Sequence, residues 1–115
     1  IMINIIGQIL FGGYFFYNGI KHFKDHKSYT GYAAAFGVPM PAFAVFFTGM
    51  LLTLGGIGIT FGIFKTASLI LIAIFLIPVT FKMHAFWKMP PEQKMSEMIN
   101  FSKNIALIGA TLLLM

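Results

Sequence analysis

Apolar residues along this chain fall into four long runs, at about 3–19, 42–64, 66–81 and 99–115. The runs are continuous rather than alternating, which predicts helices and not the strands of a membrane barrel. A helix rises about 1.5 Å per residue and the hydrocarbon layer is about 30 Å thick, so about 20 mostly apolar residues cross it. The expected fold is all-α: a transmembrane four-helix bundle in one domain, 1–115, with helices near 3–23, 41–64, 66–87 and 97–115. A short interfacial helix over 28–36 is expected between the first two, with Tyr29 and Tyr32 at headgroup depth. Pro41 suits the first turn of the second helix. Pro78 predicts a kink or a freed carbonyl in the third, which Pro90 and Pro91 then end.

Polar positions inside the runs are ordered. In the first helix Asn4, Gln8, Phe11, Phe15, Asn18 and His22 form one stripe. Side-chain amides facing lipid are costly, so this face is expected to point inward. The second helix carries a stripe of Gly49, Thr53, Gly56 and Thr60, and a GxxxG pair of Gly58 and Gly62. Small residues at these spacings predict close helix packing. Thr80, His84 and Trp87 share a face of the third helix. Asn100, Asn104, Leu107 and Thr111 share one in the fourth, with Lys103 beside them.

Composition strengthens the membrane reading, at 58% hydrophobic and 10% charged residues. Four helices apolar nearly all round cannot hide their outer faces in a soluble chain of this size. The net charge of +5 comes from eight lysines and no arginine. Most lie just outside the apolar runs, where lipid headgroups and topology signals act, so no nucleic-acid partner is expected. Lysines crowd the first and third connectors. The positive-inside rule puts those two loops in the cytoplasm, in what we take to be a prokaryotic cell membrane. No cleavable leader is expected, because the first run is too long for one. Both ends are abruptly apolar, and a few terminal residues of the gene product are expected to be missing. Cysteine is absent, which removes disulfides and thiolate chemistry from this chain.

Candidate chemistry gathers at one membrane face: Asn18, Lys21 and His22 from the first helix, His84 and Trp87 from the third, Lys103 and Asn104 from the fourth. Taken singly these are ordinary: lysines snorkel, tryptophan anchors and amides stitch helices together. Taken together they are the candidate ligand-binding residues. Imidazole and ammonium groups donate to carbonyl or phenolate oxygens, so the cluster suits an anionic or quinone-like headgroup. No metal site is expected, no cofactor motif is present, and catalytic residues are not assigned. A haem held by His22 and His84 is a weaker alternative.

Several segments resemble the DoxX family of small four-helix membrane proteins. They are Tyr17-Asn18-Gly19-Ile20-Lys21, Gly37-Val38-Pro39-Met40-Pro41, Gly49 with Gly55-Gly56, His84-Ala85-Phe86-Trp87, and Lys103-Asn104-Ile105-Ala106-Leu107-Ile108-Gly109. One departure stands out. Relatives often carry Glu three residues after the glycine matching Gly49, and this chain has Leu52 there. The family includes small subunits linked to thiosulfate:quinone oxidoreduction. The resemblance therefore implies an accessory subunit of a membrane redox or quinone-linked complex, with the lipid bilayer and other membrane subunits as partners. A non-catalytic scaffold is the alternative, and a small transporter a more distant one.

Overall fold

The computed structural model describes residues 2–83 and 86–115. Over them the chain is all-α: α1 Met2–Lys24, α2 His26–Ala35, α3 Pro41–Phe61, α4 Lys65–Met83, a 3₁₀ turn Phe86–Lys88 and α5 Pro91–Leu114.

Local chemistry explains where the helix ends depart from the expected ones. α3 stops at Phe61, not at 64, because Gly62 takes a left-handed φ of 69°. The Ile63 amide then bonds to the Gly58 carbonyl at 2.8 Å, and the Gly62 amide to that of Ile59 at 3.2 Å. This pair of hydrogen bonds, closed by the glycine, satisfies carbonyls that the helix leaves over. Gly62 therefore ends α3 rather than packing as the partner of Gly58. Gly37, φ 76°, closes α2 the same way, with Val38 and Gly37 amides on the Ala33 and Ala34 carbonyls. α5 starts at Pro91, well before 97, since proline at the first helical position has a suitable φ and no amide to lose. Pro91 thus opens α5 instead of closing the helix before it. α4 stops at Met83, and Trp87 belongs to the separate 3₁₀ turn.

Much of the surface is greasy. α3 exposes Phe43, Phe46, Phe47, Met50, Leu54, Ile57 and Phe61, at least one in every turn of that stretch. Two helices, Pro41–Phe61 and Lys65–Lys82, are long and apolar enough to cross a membrane, yet only 44% and 28% of those stretches are buried inside the protein. A core helix of a soluble protein would be mostly buried. So much exposed apolar surface marks a membrane protein. The body measures 45 × 26 × 19 Å, and its long axis matches a bilayer with its headgroups, about 40–45 Å.

The tightest interface joins α1 to α3 in antiparallel fashion. A Cβ placed on Gly12 would stand 2.6 Å from the Thr60 backbone nitrogen, and one on Gly19 would stand 2.6 Å from that of Thr53. Gly56 meets Phe16 and Gly12, and Gly49 meets His22 and Phe23. Thr48, Thr80 and Thr111 each turn the hydroxyl onto the carbonyl four residues back. Thr53 and Thr60 do not. Their buried hydroxyl oxygens have no hydrogen-bond partner and stand against the Cα positions of Gly19 and Gly12. Weak Cα–H···O contacts suit that geometry. Gln8 donates to the Thr60 carbonyl at 3.4 Å, near the end of α3. The opposite face of α3 offers Gly55 and Gly58 to Ile72 and Ser68 of α4. Phe15, Leu52, Ile59, Leu69, Ile72 and Leu76 form the core between these three helices. α5 packs on α4 and adds only partly buried Leu107 and Ile108.

Neighbouring glycines of α1 separate these roles. Gly12→Ala forces backbones apart and should lower stability by about 1–3 kcal/mol. Gly13→Ala meets no atom within 4 Å and should be neutral or stabilising by up to about 1 kcal/mol. Thermal unfolding in a single detergent compares them, and equal shifts would contradict this packing.

Candidate functional site

A cavity of about 530 Å³ lies under α2 and is walled by all five helices. Most of its lining is apolar, from Phe15, Val45, Phe75, Leu76, Val79 and Leu107, with polar groups set among these. A mostly apolar hollow with a few convergent polar groups is the usual form of a small-molecule site.

His22 is buried where Gly49 lets its Cβ approach α3. Its Nδ1 stands 2.7 Å from the Asn18 carbonyl oxygen. A carbonyl only accepts, so Nδ1 carries the proton, and neutral imidazole then presents Nε2 as an acceptor. The Tyr29 ring lies against the imidazole, centroids 4.5 Å apart, and Phe75 meets it edge-on at 6.0 Å. Asn18 turns its own amide onto the Tyr14 carbonyl at 2.8 Å. Lys103 Nζ donates to the Tyr14 hydroxyl at 3.2 Å.

The inward face of α5 consists of Glu97, Asn104 and Thr111, at heptad spacing, and all three are buried. Thr111 is satisfied by the Leu107 carbonyl, and Glu97 accepts a 3.2 Å hydrogen bond from the Tyr32 hydroxyl. Asn104 is different. It is 5% exposed, lines the cavity, and its amide finds no hydrogen-bonding partner among the described residues.

Four of the expected residues thus meet at one cavity: Asn18, His22, Lys103 and Asn104. Lys21 does not line it; its ammonium sits 5.6 Å from the Tyr17 ring centroid. Trp87 is 48% exposed and packs edge-on against Phe101 at 5.4 Å. His84 lies outside the described residues. Gly49, Thr53, Gly56 and Gly58 stand at the helix interfaces described above. Sequence reasoning missed Tyr14, Ser28, Tyr29, Tyr32, Thr48 and Glu97. Tyr14 was within reach, four residues before Asn18 and eight before His22. Glu97 lies one heptad before Asn104, at the expected start of the fourth helix, where a charged residue reads as a solvated end.

The family model DoxX matches residues 4–85, well over half of the chain. The chain belongs to the DoxX family. The matched stretch runs from α1 to the end of α4, so α5, with Lys103 and Asn104, lies beyond it. No curated protein and no solved structure matches the chain. Leu52, the position at which the resemblance led us to expect a carboxylate, is fully buried in the apolar core. The buried carboxylate of this family member is instead Glu97, on α5.

Burial, and then the Glu97 carboxylate beside it, push the Tyr32 phenol up to about 12 from its ordinary 10.0. The folded state thus holds this proton more tightly than the unfolded chain does. The stability tied to it is complete below pH 10 and fades as pH rises towards 12. An alkaline absorbance titration of the detergent-solubilised protein should show a tyrosinate component near pH 12 that Tyr32→Phe removes. Identical curves for the two proteins would contradict the pairing.

Proposed function

We propose that this chain is an accessory membrane subunit that holds a quinone head in the cavity beneath α2, beside a partner enzyme. The observation that carries the reading is Asn104. Its amide opens onto the hollow and makes no hydrogen bond among the described residues, so it is free to bond to a ligand there, a contact worth about 0.5–1.5 kcal/mol. Its neighbours suit a ring with oxygens at opposite ends. The Asn104 amide N–H and the Lys103 ammonium can donate to quinone carbonyls. His22 Nε2 and the Asn104 carbonyl can accept from the hydroxyls of the reduced ring. The apolar walls and the Tyr29 and Phe75 rings suit its faces. The sequence has no cysteine, so no dithiol of this chain exchanges electrons with the ring. The reading gives that step to a partner subunit.

It takes α1, α3, α4 and α5 as four crossings, with α2 lying at the interface. The lysine-bearing connectors then share one side, which the positive-inside rule makes cytoplasmic in a prokaryotic cell membrane.

Binding of a para-benzoquinone to the purified protein tests the reading. Asn104→Leu and His22→Leu should each weaken binding about tenfold, or about 1.4 kcal/mol. Lys21→Gln, away from the cavity, should leave it unchanged. If the wild-type protein takes up no quinone, the ligand class is wrong. If both variants assemble with the partner and keep full activity of the complex, the scaffold reading replaces this one.

A further inference from the structure

Tyr14 and Lys103 line the cavity and are also exposed on the outside of the molecule. They belong to helices whose backbones make no extensive seam with each other: α1 lies chiefly on α3, while α5 lies chiefly on α4 and the 3₁₀ turn. Between α1 and α5 the wall of the cavity is therefore made by side chains and not by a helix seam. One hydrogen bond crosses it, from Lys103 to the Tyr14 hydroxyl at 3.2 Å, and a second, from the Tyr32 hydroxyl of α2 to Glu97 at 3.2 Å, ties α5 to α2 above it. Lys103 lies six positions after Glu97 on α5, or about 9 Å along the helix axis. Beyond the Tyr14–Lys103 contact, away from α2, the same gap turns apolar. Phe11 lies about one turn away on α1, Leu107 and Ile108 about one turn away on α5, and all three are partly buried against the core. Leu107 also lines the cavity, so the polar hollow and the apolar strip are continuous.

A small water-soluble ligand would have no use for such a strip. We propose that the ligand is a tailed amphiphile that enters sideways from the bilayer, between α1 and α5. Its polar ring lies under α2 against His22 and Asn104. Its apolar chain runs over Phe11 and Leu107 into lipid. The Lys103–Tyr14 hydrogen bond is the closure that parts to admit it. One such bond is a weak barrier beside the backbone-to-backbone seam that joins α1 to α3. Ser28 and Tyr32, exposed on α2, leave a ring without a tail a second approach from water. The inference rests on the cavity reading above and adds the tail and its route.

Photolabelling of the wild-type chain in lipid nanodiscs tests the route. The probe is a prenylated para-benzoquinone with an azide on its tail, and the competitor is the same ring without a tail. Adducts should concentrate around Phe11 and Leu107, and excess competitor should suppress them. Suppressible adducts on α3 and α4 instead would overturn the sideways route and leave the cavity reading standing. Labelling that the competitor nowhere suppresses would remove the cavity reading, and this inference with it. A second measurement uses the absence of native cysteine. In Y14C/K103C, bridging by a short bis-maleimide should slow association of the tailed quinone at least tenfold relative to the same variant unbridged, and by more than it slows the tail-less ring. Equal rates for the tailed quinone before and after bridging would also overturn the route. Should the double variant misfold, the wild-type photolabelling decides alone.

Discussion

The architecture depends on how closely two backbones approach. In lipid no water is released when apolar helices meet, so association must come from packing and weak polar contacts. α1 and α3 meet where Gly12, Gly19, Gly49 and Gly56 remove the Cβ atoms from the seam. That contact fixes the rotation of α1. With the two glycines of α1 turned to α3, Phe15, Asn18 and His22 lie about 60–100° round the helix, at the interior. The site is therefore aimed by residues that do not touch it. Gly49 is the direct link, since its missing side chain is the space that the His22 Cβ uses.

α3 is held on two sides. Gly49 and Gly56 serve α1, while Gly55 and Gly58 serve α4. Its third face, with Phe43, Phe47, Met50, Leu54 and Phe61, is left outward. α5 is a different kind of helix. Its buried residues are polar, its apolar contribution to the core is small, and hydrogen bonds from Lys103 to Tyr14 and from Tyr32 to Glu97 tie it to the α1–α2 side. One half of the molecule is thus set by shape and the other by a few directional bonds. The cavity lies where the two halves meet.

How much of this was legible in the residues follows from the physics of each signal. Continuous apolar runs and small-residue spacing are local patterns, and they pointed to the helical class, to α3 and to its glycine and threonine stripe. Helix ends were harder to place. The same proline can end one helix or begin the next, and Pro91 begins α5. Gly62 fits a packing motif by spacing, yet its φ of 69° makes it a terminator. Asn18, His22, Lys103 and Asn104 were readable because polar groups in apolar helices are conspicuous. The tyrosines were not, since a phenol looks equally at home in a core, at a headgroup or in a site. Glu97 was hidden by its neighbours: Glu92 and Lys94 beside it read as a connector, and only the fold brings Tyr32 within 3.2 Å of it.

The glycine–threonine seam has a thermal corollary. Burial that draws on water weakens as the temperature falls, because its free energy near ambient conditions is almost wholly entropic. Contact between two bare backbones in oil is dispersive and so enthalpic in origin. Chilling does not loosen such a joint, and the α1–α3 pair should remain clasped in the cold while α5, leaning on a handful of side chains, stays the freer limb.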